Sequence, residues 1–170
     1  MKTLIIVRHA NALSGWEARV NTDAERPLSS AGIQKAGKTA QALKTRAIAP
    51  DIILTSPLLR AVQTAETISQ TIGGQISKET VLNGLHADRE VCEFLANQMQ
   101  EHNTVIAVGH NPSVAYVLHL FCKEIHHFAP GSFAVLNFEN PHRPQLTYFQ
   151  FGPFSPAAVF SRDGISRAGI

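Results

Sequence analysis

The chain has 170 residues, 44% of them apolar and 16% charged, with a formal net charge of +2. That length fits one domain able to bury about two-thirds of its unfolded surface. So mild a charge, with no dense Lys/Arg cluster, argues against a nucleic-acid or membrane-surface partner, and no apolar run approaches the roughly 20 residues of a membrane helix.

The first predicted element is a strand over residues 3–8, where Leu4-Ile5-Ile6-Val7 is the short unbroken apolar run of a strand covered on both faces. It starts so near Met1 that it leaves no room for a targeting segment, which sets the expectation of a cytoplasmic protein. Residues 10–28 lack periodicity and read as the longest loop, of a length often used for lids and binding elements. Trp16 within it is either a substrate contact or a loop anchor. Ser29 or Ser30 then caps a helix whose apolar face is Ile33, Ala36, Ala40 and Leu43. Pro50-Asp51 breaks the chain before a strand over 51–55. Ser56 is expected as the N-cap and Pro57 as the first residue of a helix that buries Leu58, Ala61, Ala65, Ile68 and Ile72. Gly73-Gly74 stops it.

An extended piece around 79–82 leads to a helix near 88–100, with Val91, Phe94, Leu95 and Met99 inward. Residues 104–109 form a strand. Asn111-Pro112 repeats the cap-then-proline start of a helix that runs to about Cys122. Segments 132–138 and 145–151 read as strands, and the Pro-, Ser- and Gly-rich stretch over 153–170 as a loosely held tail. Strands alternating with helices predict a three-layer α/β/α sandwich with a mostly parallel central sheet, in a single domain over 1–152. The last two strands, joined without a helical pattern, predict an antiparallel addition at one edge. Cys92 and Cys122 have no Cys-x-x-Cys spacing and read as reduced thiols packed as small hydrophobes.

Three strand-to-helix junctions carry the chemistry. Arg8-His9 leaves the first strand at the sheet edge where open α/β sheets place their ligands; Arg60 follows the second strand and His110 the third. Guanidinium forks match phosphate bidentately and stay charged. A neutral imidazole, near its ordinary pKa of about 6.5, is a nucleophile at cellular pH. Phosphoryl transfer needs an in-line nucleophile and fixed positive charge around three equatorial oxygens. The set therefore reads as a phosphate-handling site, with His9 as nucleophile, Arg8 and Arg60 as the anion clamp, and His110 as hydrogen-bond donor or cation. Nothing in this chemistry calls for a cofactor or metal, and the sequence shows no carboxylate cluster for one. His119, His126 and His127 lack metal-ligand spacing, and His86, His102 and His142 read as solvated.

Four motifs occur in order over roughly residues 1–150. They are Arg8-His9, then Arg26-Pro27-Leu28-Ser29-x-x-Gly32, then Thr55-Ser56-Pro57-x-x-Arg60-Ala61-x-Gln63-Thr64-Ala65, then Gly109-His110-Asn111-Pro112. Together they resemble the histidine phosphatase superfamily, with its phosphoglycerate mutase-like fold, and within it the small SixA-type phosphohistidine phosphatases. The resemblance implies a two-step hydrolase: His9 attacks phosphorus to form a phosphohistidine enzyme, and water then releases inorganic phosphate. It implies a pocket completed by Arg8, Arg60 and His110. Arg26 is placed at or near that pocket by the resemblance alone.

Two departures from the family pattern bear on substrate. Ala10 stands where the signature usually continues with glycine, adding a methyl that is tolerated if φ is not positive but is able to narrow the pocket floor. Gly84, in Val81-Leu82-Asn83-Gly84-Leu85-His86, stands where relatives that cleave phosphoesters usually carry a glutamate that protonates the leaving group. The stand-in acids are Asp23, Glu25, His86 and Asp88, with Asp23 and His86 carried forward as possible proton donors. An alkoxide leaving group needs a proton in the transition state, whereas imidazole, whose conjugate acid has a pKa of about 6.5, leaves readily. The expected substrate is therefore phosphohistidine in a protein partner, or another phosphoramidate. The alternatives are a phosphatase or mutase for a small phosphorylated metabolite, and a non-catalytic phosphate-binding module.

Overall fold

The computed structural model describes residues 1–152 and the backbone of 158–159. Its strands are Thr3–Arg8 (β1), Ile52–Thr55 (β2), Gln75–Lys78 (β3), Thr104–Gly109 (β4), Phe133–Asn137 (β5), Gln145–Gln150 (β6) and Ala158–Val159 (β7). Its helices are Gly15–Ala18 (α1), Ser30–Thr45 (α2), Leu59–Ile72 (α3), Asp88–Glu101 (α4) and Ser113–Cys122 (α5). The strands form one sheet in the order β3-β2-β4-β1-β5-β6-β7. β3, β2, β4 and β1 are parallel neighbours, and β5, β6 and β7 follow in antiparallel pairings. The antiparallel addition lies at one edge, as the sequence predicts.

Alternation along β1 builds both layers of core. Ile5 and Val7 pack with Ala40 and Leu43 of α2 and with Ala61, Ala65 and Ile68 of α3. Leu4 and Ile6 face the other way, onto Val91, Leu95 and Met99 of α4 and Val114, Val117 and Leu118 of α5. A parallel strand covered on both faces needs apolar residues at every position, which is why residues 4–7 show no polar alternation. No described helix is long and apolar enough to cross a membrane.

Several predicted boundaries move, each for a physical reason. Ser29 caps α2, its hydroxyl accepting the Gly32 N–H at 3.0 Å. Ile33 is 60% exposed rather than buried. The first turn of α2 is seated instead through Gly32, where a Cβ would stand 1.9 Å from the Asn11 carbonyl oxygen, so backbone rests on backbone. Ser56 does not cap α3: Leu58 holds the cap position, and Ser56 accepts the Leu58 N–H at 3.2 Å from outside the helix. Asn111 likewise does not cap α5. Pro112 occupies the cap position with no side-chain hydrogen bond, while the Asn111 amide donates to the Phe128 carbonyl. Leu58 and Ile72 are only half-buried, as is Phe94.

The extended piece expected at 79–82 is a single 3-10 turn, Thr80–Leu82, and the strand lies earlier, at β3. β3 is polar and half-exposed and follows Gly73-Gly74 at once, so no alternation marks it. The loop over 10–28 holds two short turns, α1, closed by a reciprocal capping box between Ser14 and Glu17, and the 3-10 turn Asp23–Glu25, where the Glu25 carboxylate accepts from the Thr22 N–H and hydroxyl. The tail expected over 153–170 lies outside the described residues, except that the backbone of Ala158–Val159 pairs with β6. Cys92 and Cys122 are free, half-buried thiols, which burial pushes up to about 12 and about 11.

Candidate active site

Strand register brings the two histidines together. Arg8 and Gly109 are partners at the carboxyl ends of β1 and β4, so the next residues, His9 and His110, leave the sheet side by side. The His9 N–H donates to the Gly109 carbonyl at 3.1 Å, and the two imidazole centroids lie 4.8 Å apart at 57°. Arg60, the second residue of α3, reaches the pair from the end of β2.

His9 Nδ1 is 2.7 Å from the carbonyl oxygen of Ala10. A carbonyl only accepts, so Nδ1 carries the proton and Nε2 keeps its lone pair. Arg60 Nε donates to that lone pair at 3.3 Å. Burial first, and then the guanidiniums of Arg60, Arg8 and Arg26, push His9 down to about 4. His110 is pushed down to about 3, mainly by burial and then by His9 and Arg60. Both rings are therefore neutral at cellular pH, with the His9 Nε2 lone pair beside fixed positive charge.

The guanidinium of Arg8 donates from Nη1 to the Phe128 carbonyl at 2.7 Å, while its buried Nε has no partner. Burial holds Arg8 below its ordinary value. Arg60 is 8% exposed and spends its two terminal nitrogens on Asp23, Nη1 on the carbonyl oxygen and Nη2 on carboxylate Oδ2, both at 2.8 Å. Asp23 Oδ1 accepts from Arg26 Nη1 at 2.8 Å, and Arg26 Nε donates to the Leu13 carbonyl at 2.7 Å. Arg26 thus joins the site through Asp23.

The candidate proton donors are each held by other partners. Hydrogen bonds from Arg26 and Arg60 hold the Asp23 carboxyl below the usual carboxylate range, so it has no proton to give and serves instead to tether two guanidiniums. His86 turns its Nδ1 to Glu90 at 3.1 Å, one helical turn along the chain. Glu25 accepts from the Thr22 backbone and hydroxyl, and Asp88 accepts from Ser113. Gly84 does border the site: a Cβ there would lie 3.5 Å from His110 Cβ, in ordinary contact. Its φ of +84° is, however, a conformation that favours glycine.

Ala10 is absent from the positive-φ residues, and it is buried in a small cluster with Leu28 and Ala36. Ala10 N–H donates to Thr64 Oγ1 at 3.2 Å, which uses a second motif residue to hold the turn after His9. Trp16 is 90% exposed and anchors nothing. Among the described residues no group of His, Cys, Asp and Glu side chains is arranged to hold a metal ion. Sequence reasoning missed the Phe128 carbonyl, which as a main-chain group leaves no mark, and misread Ser56, whose hydroxyl lies 2.8 Å from His110 Nε2.

Comparison with known proteins agrees with this geometry. Residues 4–89 match the family described as histidine phosphatase superfamily (branch 1). Among solved structures the chain is similar to the protein histidine phosphatase SixA complexed with tungstate, at a TM-score of 0.80 and 22% identity, over 89% of this chain and 97% of that one. It is similar also to a SixA protein of Agrobacterium tumefaciens, at a TM-score of 0.77 and 26% identity, over 88% of this chain and 97% of that one. These likenesses establish the phosphoglycerate mutase-like α/β fold. A chloroplastic, uncharacterised protein of Arabidopsis thaliana is 28% identical over 120 residues, which are 65% of this chain and 54% of that protein. The chain therefore spans about half the length of that relative.

Proposed function

Since the chain belongs to the histidine phosphatase superfamily, we propose that it hydrolyses phosphohistidine in a protein partner, through a phospho-His9 intermediate and without a metal. Superfamily membership and the SixA neighbours support phosphatase activity. One observation carries the mechanism: a buried, neutral His9 whose Nε2 lone pair lies beside Arg60 and next to the ring of His110.

In the first step Nε2 of His9 bonds to phosphorus as the bond from phosphorus to the leaving nitrogen breaks. The leaving imidazole departs as a neutral base when its other nitrogen already carries a proton. Arg8 and Arg60 balance the charge on the equatorial oxygens, where water-excluded donors are most effective. In the second step a water oxygen bonds to phosphorus, the bond to Nε2 breaks, and the water's protons leave on inorganic phosphate or pass to solvent. His9 is then neutral again.

The choice of phosphohistidine rests on the leaving group. Asp23 is ionised, and Gly84 puts no acid beside His110, so no carboxylic acid among the described site residues stands ready to protonate an alkoxide. Two free thiols fit a reducing, cytoplasmic setting. The test is kcat/KM for a phosphohistidine protein, free phosphohistidine and an alkyl phosphate; a higher value for the alkyl ester refutes the substrate. Acid-labile label from a phosphoryl donor on the native protein, absent from His9→Ala, checks the intermediate. No label together with tight binding of tungstate, the anion held by the SixA structure, would instead indicate a phosphate-binding module.

A further inference from the structure

We propose that Ser56 is a positioning residue that fixes the tautomer of His110, placing its proton on Nδ1. The two histidines then meet the phosphoryl group through opposite edges, His9 with a lone pair and His110 with an N–H. The catalytic meaning of this arrangement rests on the phosphatase reading above, but the tautomer itself does not.

A count of protons carries the argument. Ser56 is fully buried at the corner between β2 and α3. Its backbone N–H donates to the Val108 carbonyl at 3.1 Å, which pins the corner to β4 just before His110. Its hydroxyl oxygen already accepts the Leu58 N–H at 3.2 Å, and His110 Nε2 lies 2.8 Å away. The hydroxyl has one proton to place, and among its described contacts only Nε2 can accept it. Were Nε2 itself protonated, the hydroxyl would accept twice and leave its own proton buried without a partner, an arrangement folded proteins avoid. Nε2 therefore accepts, and the single proton of the neutral ring sits on Nδ1.

The remaining contacts leave that proton free for a ligand. Gly84 lies along the Cβ, Cγ and Cδ2 edge of the ring, and Ser56 takes Nε2. That leaves the edge bearing Nδ1 touched by neither, with the His9 ring 4.8 Å away centroid to centroid, and Nδ1 makes no hydrogen bond among the described residues. Burial pushes His110 down to about 3, so the resting ring has one proton, and its position decides whether an oxyanion meets a donor or a lone pair. A ring free to take the other tautomer would present its lone pair to the phosphoryl oxygen and repel it. The sequence disguises this role, because a serine before Pro57 looks like a helix cap.

The experiment is nitrogen-15 NMR of the imidazole groups in the histidine-labelled full chain at pH 7, with signals assigned through His9→Gln and His110→Gln. The native protein is expected to show His110 with Nδ1 protonated and Nε2 bare. A His110 signal from the Nε2–H tautomer overturns the proposal, whether or not the protein turns over any substrate. Ser56→Ala is expected to move His110 toward the Nε2–H form and to lower kcat for phosphohistidine about ten- to hundredfold, less than outright loss of an oxyanion donor. KM is expected to change less. An unchanged tautomer in folded Ser56→Ala overturns the proposal as well. Ser56→Thr, which keeps the hydroxyl, is expected to restore the native tautomer.

Discussion

Acid should loosen this fold well before its carboxylates are protonated. The perturbation is a drop from pH 7 to pH 5 without any oxyanion present. His9 titrates at about 4 and His110 at about 3 in the folded chain, against about 6.5 when unfolded. Between these values the unfolded chain binds more protons than the folded one, so stability rises with pH and is lost as pH falls through 6.5 toward 4. At pH 5 the unfolded imidazoles are almost fully protonated and the folded ones almost bare, which costs about 2 kcal/mol for each ring and roughly 4 for the pair. That is a large part of the 5–15 kcal/mol typical of a domain. Asp23 works in a different window. Its carboxyl is held below the usual range, so its contribution persists above its unfolded pKa, near 3.8, and disappears only as pH falls below that, through the folded value. Urea unfolding at both pH values is the assay, with His110→Gln as the comparison. The native protein should lose about 4 kcal/mol and the variant about half as much. An equal midpoint at pH 5 and pH 7, or an equal loss in the variant, would refute the claim that burial keeps these rings neutral.

Three further outcomes are expected. Arg60→Lys should lower kcat/KM about 10²–10³-fold, because an ammonium group cannot span Asp23 and His9 as the guanidinium does; steady-state kinetics on phosphohistidine would read it. Gly32→Ala should cost about 3 kcal/mol or more in urea unfolding, since its methyl would meet the Asn11 carbonyl oxygen at 1.9 Å. Gly84→Ala should cost only about 1–2 kcal/mol, from the left-handed backbone alone, and leave kcat for phosphohistidine within about threefold, because its Cβ has ordinary contact with His110.

The parts of this molecule written in local sequence were legible, and those written in tertiary approach were not. β1 and β4 are unbroken apolar runs because helices cover both faces, and that pattern needs no partner to be seen. His9, Arg60 and His110 stand out in the sequence because each follows directly on a strand or opens the next helix. The tie between Asp23 and Arg60 had no local signal: it depends on α3 carrying Arg60 to the 3-10 turn over residues 23–25, and the neighbours of Asp23 in sequence say nothing of that. The cap-then-proline reading failed twice for one reason. Ser56 and Asn111 spend their side chains on His110 and on the Phe128 carbonyl, so the helices start a residue or two later and uncapped. The apolar face assigned to α2 was correct in direction but ran one turn too far, to Ile33.

The Phe128 carbonyl receives both the Arg8 guanidinium and the Asn111 amide, at 2.7 and 3.0 Å. An attachment made by the main chain has no side-chain identity to lose. Exposed positions between α5 and β5, such as Ile125, can therefore drift while the path still steadies the Arg8 guanidinium, but Phe128 itself, fully buried against Phe149, cannot. Substitution of Phe128 would register as lost packing rather than as a lost hydrogen bond, whereas a one-residue deletion there would release the Arg8 guanidinium from its anchor.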